Sequence, residues 1–185
     1  MKVLKFGGTS VGKPDRMHSV AKLISSTPDI KVVVLSAVSG TTNALVDISN
    51  KLTKKDTKAA EEAIANLFGP YKAFVEELYS TAEGKSKGHA IVKTYHDLIK
   101  SYVGAANFGD KETRLFLAQG EIISTNLFQE YLSEQGYSSA LLPALEFMKT
   151  DADNEPMLDY IETKLNEQLA KHPNKSLYIT QGYVC

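Results

Sequence analysis

The sequence predicts an α/β protein with a mainly parallel sheet, and three observations support this fold class. Short runs of Val, Leu and Ile alternate with longer segments whose apolar residues recur every three or four positions, as strands alternate with helices. The run at residues 31–35 is apolar on both faces, which is typical of a central parallel strand. The 185 residues, 43% of them hydrophobic, suffice for one sizeable core. We therefore expect right-handed crossovers and a three-layer sandwich.

The composition excludes several classes of function. The chain has 21 Lys plus Arg against 22 Asp plus Glu and a net charge of -1, so it has no surplus positive charge for nucleic acid. No apolar run approaches the roughly 20 residues that span a bilayer, and the start is not a signal peptide, so we expect a cytoplasmic protein without membrane contact. Cys185 is the single cysteine, which excludes an internal disulfide and a cysteine-based metal site.

The first third of the chain has the pattern strand, glycine loop, helix, strand. Residues 1–6 form a short apolar strand, and three glycines then mark a loop that ends at Pro14. Proline suits the first turn of a helix, and the helix that follows should end near Pro28. Its apolar stripe consists of Met17, Val20, Ala21 and Ile24. Residues 31–35 then give the second strand.

A turn of small residues at 36–43 leads from the second strand into another amphipathic helix. Thr41 or Thr42 is suitably placed to cap this helix. The second strand therefore also leads into a helix N-terminus.

The middle of the chain is predicted to be helical. Residues 56–107 carry helical stripes, broken at 69–70, and we expect a loop at 83–88 because that segment is polar and contains glycine. This part forms a helical insertion. Residues 110–134 should form one long buried helix that ends at Gly136.

The last part returns to strand and helix patterns. We predict a buried strand at 139–142, a second short strand at 147–150, a helix at 156–171 and a last strand at 176–180. Strands and helices therefore alternate again, as the parallel sheet requires.

The loop at residues 7–13 is close to a phosphate-binding P-loop, with glycines and a following lysine at the right spacing. It departs from that motif at Pro14, which has no hydroxyl for Mg²⁺. Glycines still let backbone N–H groups approach a phosphate, although they also serve a simple tight β-α turn. Lys5 favours the anion site, because a lysine in an apolar strand is costly unless it points at an anion.

Three segments together resemble the aspartate kinases, the aspartokinase branch of the amino acid kinase family. They are Lys-Phe-Gly-Gly-Thr-Ser-Val-Gly at 5–12, Ser-Ala-Val-Ser-Gly-Thr-Thr-Asn at 36–43 and Gln-Gly-Glu at 119–121. The strand-borne KFGGTSV signature is specific to that branch. Met-Lys-Thr-Asp at 148–151 and Ile-Thr-Gln-Gly-Tyr at 179–183 are similar to later landmarks of the family, so the resemblance covers essentially the whole chain.

The resemblance implies transfer of the ATP γ-phosphoryl group to the side-chain carboxylate of L-aspartate. The product is 4-phospho-L-aspartate, the first step toward lysine, threonine and methionine. ATP is the cofactor, with Mg²⁺ bound through the nucleotide and no metal held by the chain itself. The family's site positions fall on a catalytic, phosphoryl-contacting Lys5, a phosphate cradle of Gly7, Gly8, Thr9 and Ser10, and the aspartate-binding Thr42 and Glu121.

Several of these residues also have simpler interpretations. Thr42 can be an N-cap only, and Glu121 can face water. Asp110 and Arg114, spaced i and i+4, are expected to form a surface ion pair. Asp151 lies either in a plain solvated loop or in the segment that approaches the substrate in the family.

The resemblance also suggests that the chain is a fragment. Residues 1–185 correspond to the N-terminal portion of a truncated amino acid kinase fold, without the nucleotide half and the ACT regulatory domains. We therefore expect the isolated chain to be inactive and the full-length enzyme to be a homo-oligomer. The alternative is a non-catalytic module that binds a small anion or an amino acid.

Overall fold

A four-stranded parallel sheet forms the centre of the computed structural model, which describes residues 1–105 and 108–182. The strands are β1 (Lys2–Phe6), β2 (Lys31–Leu35), β3 (Ser139–Leu142) and β4 (Leu177–Gln181), in the spatial order β1-β2-β4-β3. All three neighbouring pairs are parallel. The carboxyl ends of all four strands therefore lie at one edge of the sheet, where ligands bind in such folds.

Seven α-helices accompany the sheet in the described residues. They are α1 (Pro14–Ile24), α2 (Thr41–Thr53), α3 (Thr57–Phe68), α4 (Tyr71–Leu78), α5 (Ala82–Lys100), α6 (Asp110–Glu134) and α7 (Leu158–Ala170). Helices α3 to α5 pack on one another and on α2 and α6, which is the predicted helical insertion.

Helices cover the sheet on both faces. Val33, Leu35 and Ile179 point into the larger core, which α1, α2 and α6 complete. Val32 and Tyr178 point to the opposite face, where the apolar side of α7 packs. The predicted α/β class, parallel sheet and three-layer arrangement are confirmed.

The start of α2 differs from its prediction. Neither Thr41 nor Thr42 caps the helix; Gly40 takes the N-cap position with a φ of 86° and no side-chain cap. A left-handed backbone at this point suits glycine, and it turns the chain sharply from the loop after β2 into α2. The Thr41 hydroxyl instead lies 3.3 Å from the Tyr71 hydroxyl.

The loop predicted at residues 83–88 is wrong, because α5 runs through this segment from Ala82 to Lys100. Its glycines are buried contact points between helices. A Cβ at Gly88 would lie 2.4 Å from the Tyr79 ring and 2.9 Å from Val75, and one at Gly84 would lie 2.3 Å from Glu134. Glycine is needed here for close helix packing, which overrides its tendency to form loops.

The short strand predicted at 147–150 is also absent. The chain forms a 3-10 turn at Ala144–Glu146, and Thr150 makes only an isolated bridge to Pro156. The N–H groups of residues 147 and 148 donate to the Ala144 carbonyl, which leaves them no partner in a sheet. Parts of two other predictions, at residues 106–107 and 183–185, lie outside the described residues.

The long helix α6 has the predicted bounds and is central to the molecule. It contacts β2, β3, β4, α2 and α5. Besides its apolar residues it buries four polar ones, Gln119, Glu121, Ser124 and Thr125. Buried polar groups on a central helix require hydrogen-bond partners or a ligand.

Candidate active site

The loops that follow β1 and β2 pack tightly against each other at the carboxyl edge of the sheet. The Ser36 N–H donates to the Phe6 carbonyl over 3.1 Å. A Cβ at Gly8 would lie 2.9 Å from the Ala37 carbonyl oxygen, and one at Gly12 would lie 2.7 Å from the Gly8 carbonyl oxygen. Gly8 and Gly12 are therefore required by the packing of the two loops, whatever else they do.

Gly7 differs from these glycines, because a Cβ there would meet no atom within 4 Å. Packing of the chain does not explain glycine at this position, whereas close approach of a ligand to the backbone does. The loop around it is held in shape. The Ser10 N–H donates to the Gly7 carbonyl over 2.8 Å, and the Arg16 guanidinium donates to the Thr9 carbonyl over 2.5 Å.

Helix α6 places Glu121 beside these loops. The preceding Gly120 allows the close approach, since a Cβ there would lie 3.1 to 3.2 Å from Ala37, Leu45 and Thr41. The Glu121 side chain is 3% exposed. Among the residues that the structure describes, its Oε2 atom has no hydrogen-bond partner.

The electrostatics of Glu121 reflect this burial. Loss of solvent raises the pKa of the Glu121 carboxyl group, while the backbone of Ala37 and the positive charge of Lys5 act in the opposite direction. A buried carboxylate with an unused oxygen is costly, so a positively charged partner at this point stabilises it.

Thr42 lies in the first turn of α2, half-buried. The first N–H groups of a helix have no intrahelical acceptor, and the positive end of the helix favours an anion there. The Thr42 hydroxyl and the backbone N–H groups of the first turn therefore offer hydrogen-bond donors for an anion at the start of α2.

A cavity of about 410 Å³ joins these groups. It brings together four of the predicted site residues, Gly8, Thr9, Thr42 and Glu121. The remaining lining comes from the loop after β2 and the start of α2, namely Ser36, Ala37, Val38, Ser39, Gly40 and Asn43. Lys5 is exposed at the end of β1, and its charge acts on Glu121. The cavity can hold a small molecule that carries both a cationic and an anionic group.

Not every predicted residue faces this cavity. Ser10 lines a separate open cleft with Phe6 and Arg16, so its suggested role toward phosphate stays a prediction. Asp151 accepts N–H groups of residues 153 and 155 and stabilises its own turn. The pair expected between Asp110 and Arg114 is not among the ion pairs of residues 1–105 and 108–182; Arg114 donates to Asn154 instead.

Gln181 supports the site in a way that sequence reasoning did not anticipate. Its amide nitrogen donates to the Thr125 hydroxyl over 2.7 Å, and its amide oxygen accepts the Ala144 N–H over 2.7 Å. The Thr125 hydroxyl in turn donates to the Glu121 carbonyl over 2.9 Å. This buried chain of hydrogen bonds fixes α6 against β4. The residue stands in the Ile-Thr-Gln-Gly-Tyr landmark, but nothing in that pattern indicates the contact.

Within residues 1–105 and 108–182, no group of three or more His, Cys, Asp or Glu side chains is placed to hold a metal ion. In the same part of the chain, no helix combines the length and the apolar character needed to cross a bilayer.

The chain is similar to several aspartokinases. It is 33% identical over 173 residues to aspartokinase 3 of Arabidopsis thaliana chloroplasts, covering 86% of the chain and 29% of that protein. It is 29% identical over 185 residues to the lysine-sensitive aspartokinase 3 of Escherichia coli, covering 98% of the chain and 40% of that protein. The chain thus spans well under half of the length of these relatives.

Solved aspartokinase structures also resemble the fold of this chain. Aspartokinase III of Escherichia coli in complex with lysine and aspartate superposes with a TM-score of 0.81 at 27% identity, covering 98% of this chain and 40% of that one. The same enzyme in complex with aspartate and ADP gives a TM-score of 0.76 at 28% identity, with the same coverage.

The family model described as "Amino acid kinase family" matches residues 1–185. With the aspartokinase similarities, this match confirms the resemblance that the glycine loop, the turn at 36–43 and the Gln-Gly-Glu segment indicated. The chain belongs to the amino acid kinase family.

Proposed function

We propose that the chain supplies the amino-acid-binding part of an aspartate kinase and binds L-aspartate in the cavity between Thr42 and Glu121. The observation that carries the proposal is the buried Glu121 carboxylate, which has an unused oxygen in a cavity that also contains helix-terminal donors. The substrate ammonium pairs with Glu121, and a substrate carboxylate accepts from Thr42 and its neighbouring amides. An amino acid satisfies both requirements at once.

The phosphoryl group is proposed to lie beside the loop after β1. Lys5 contacts its oxygens, and the backbone of Gly7, Gly8 and Thr9 forms the cradle, with Ser10 assisting. The open space at Gly7 fits this role. ATP would bring Mg²⁺ with it, and the metal would neutralise phosphate charge.

The residues present are sufficient for this chemistry on the acceptor side. A carboxylate acceptor is already ionised at neutral pH, so no general base is needed. Catalysis then consists of holding two anions close together and offsetting their repulsion. Lys5, the backbone amides of the loop and the positive end of α1 supply that positive potential.

Calorimetric titration with L-aspartate tests the proposal. We expect the wild-type chain to bind, and Thr42→Ala and Glu121→Ala to weaken binding at least about tenfold, since each removes a charge-assisted hydrogen bond. Glu62→Ala is the matched control, because it removes the same side chain and charge from an exposed position on α3. Equal affinity in wild type and both site variants would contradict the residue roles. L-glutamate and N-acetylglutamate, titrated in parallel, distinguish aspartate from other carboxylate acceptors.

We further propose that residues 1–185 form the N-terminal portion of the catalytic domain and that, purified alone, they bind aspartate without turnover. The chain spans 40% of the aspartokinase III chain that was solved with aspartate and ADP, which supports this proposal. ADP release measured with ATP and aspartate should stay at the level of a blank. Robust aspartate-dependent release would contradict it.

A further inference from the structure

A second cavity, of about 250 Å³, lies between the N-terminal half of α6 and the segment that follows β3. Three cationic side chains line it, Lys111 and Arg114 from α6 and Lys149 from the facing segment. The remaining lining is Leu115, Leu145, Met148 and Thr150. We call these seven residues the basic cleft.

The basic cleft is separate from the candidate aspartate site. The two cavities share no lining residue. Arg114 precedes Glu121 by two helical turns on the same face of α6, which places the two residues about 10 Å apart along the helix axis. A ligand of the basic cleft therefore leaves the aspartate cavity free.

The cations of the cleft, Lys111, Arg114 and Lys149, make no direct ion pair with a carboxylate of the described residues. Of the acidic side chains near them in sequence, Glu112 caps α6, Glu146 binds Gln168 and Lys171, and Asp151 closes its own turn. Asp110 lies beside Lys111 at the exposed start of α6. Three like charges around one cavity repel each other unless an anion joins them.

Two of the three cations are held in place. Arg114 donates to the Asn154 side-chain oxygen over 3.3 Å, and Asn154 has a φ of 64°, which is uncommon outside glycine. Lys149 lies 5.0 Å from the centre of the Tyr160 ring, within reach of a cation–π interaction. Asn154 thus places its side-chain oxygen where the guanidinium group of Arg114 can donate to it.

The cleft also has an apolar part. Leu115 is 38% exposed and Leu145 is 44% exposed, and both lie beside the cations. We propose that the basic cleft binds a small phosphate monoester whose organic part is apolar. A dianion complements three cations better than a single carboxylate does, and arginine pairs with phosphate through two parallel hydrogen bonds. The volume limits the ligand to about the size of phenyl phosphate.

Titration of the ¹⁵N-labelled chain with phenyl phosphate, followed by NMR, tests this proposal. We expect shifts of the backbone amides at residues 111–115 and 148–150. Arg114→Gln and Lys149→Gln should each weaken binding about tenfold, as expected for a lost charge-assisted hydrogen bond. Lys58→Gln is the matched control, because it removes an exposed positive charge from α3. Inorganic phosphate and benzoate, which lack either the apolar part or the second charge, should bind more weakly.

Asn154→Gly separates orientation from folding. Glycine tolerates the left-handed backbone, so we expect unfolding stability to be unchanged or higher while phenyl phosphate binds several-fold more weakly. Unchanged affinity in both Arg114→Gln and Lys149→Gln would overturn the proposal. So would shifts centred on Gly7 and Gly8 with loss of binding in Lys5→Gln, because the phosphate would then occupy the glycine loop.

Discussion

At the scale of single residues, Glu121 links stability to function. Burial raises its pKa above the ordinary carboxyl value, so the folded chain keeps this proton to a higher pH than the unfolded chain does. That contribution to stability is present at low pH and is lost as pH rises through the folded-state pKa. At neutral pH the free chain therefore carries the cost of a buried carboxylate, which a bound ammonium group would offset.

Replacement of this carboxylate should improve stability while it removes binding. We expect Glu121→Gln to raise the free energy of unfolding by roughly 1 kcal/mol at pH 7, measured by urea denaturation, and to abolish calorimetric aspartate binding. The gain should shrink as pH falls toward the ordinary carboxyl pKa. A variant less stable than wild type at pH 7 would indicate that the charge has a permanent partner.

Titration of the Glu121 carboxyl group should also make aspartate affinity depend on pH. Binding needs the Glu121 carboxylate, so affinity should be constant above its free-state pKa and fall up to tenfold per pH unit below it. Because that pKa is raised, the fall should begin above the range of exposed glutamates. Calorimetry from pH 8 downward measures it, with Thr42→Ser as the control that retains the dependence. A flat profile down to the ordinary carboxyl pKa would exclude Glu121 as the ammonium partner.

At the scale of secondary-structure elements, the buried glycines of α5 set how closely the helical insertion packs. A Cβ at Gly88 would lie 2.4 Å from the rigid Tyr79 ring. We expect Gly88→Ala to destabilise the chain by about 1 to 3 kcal/mol in urea denaturation, although alanine is the better helix former. Ser86→Ala, on the exposed side of α5, should be neutral. Equal stability of wild type and Gly88→Ala would mean that α5 can shift outward.

The elements that the sequence predicted well are those with strong periodicity. The bounds of β2 and α6 match, and Val32 and Val33 face opposite sides of the sheet as an apolar parallel strand requires. The errors arose where tertiary contacts override local preference. Gly84 and Gly88 favoured a loop prediction, because the local sequence does not reveal that the Tyr79 ring and the Glu134 carboxylate pack against these two glycines.

The candidate site was predictable to the same degree. The segment signatures indicated Gly8, Thr9, Thr42 and Glu121, and the fold places them around one cavity. The hydrogen bond from Gln181 to Thr125 was not predictable, since it joins residues far apart in the chain and no local pattern encodes it. A contact of this kind forms only when the sheet and α6 have come together.

At the scale of the whole molecule, ligand binding should be visible as thermal stabilisation. If aspartate binds the folded chain alone, a concentration one hundred times its Kd adds about 2.7 kcal/mol. For a domain of this size, that corresponds to a rise in Tm of about 5 to 10 °C in differential scanning calorimetry. Glu121→Ala, which binds at least about tenfold more weakly, should show at most about half of this rise at the same aspartate concentration. A rise of equal size in that variant would place the ligand elsewhere.

The order of the strands has a consequence for how the chain folds. Strand β4 lies between β2 and β3, so residues 31–35 must find residues 177–181 before the sheet can close. Contacts so distant in sequence make folding slow, because the loop entropy is lost before the pairing is gained. During synthesis the edge of β2 that pairs with β4 stays unpaired until residues 177–181 have left the ribosome. An unpaired apolar strand edge is prone to aggregation in that interval. The central strand that anchors α6 through Gln181 is therefore also the last of the four strands to be synthesised.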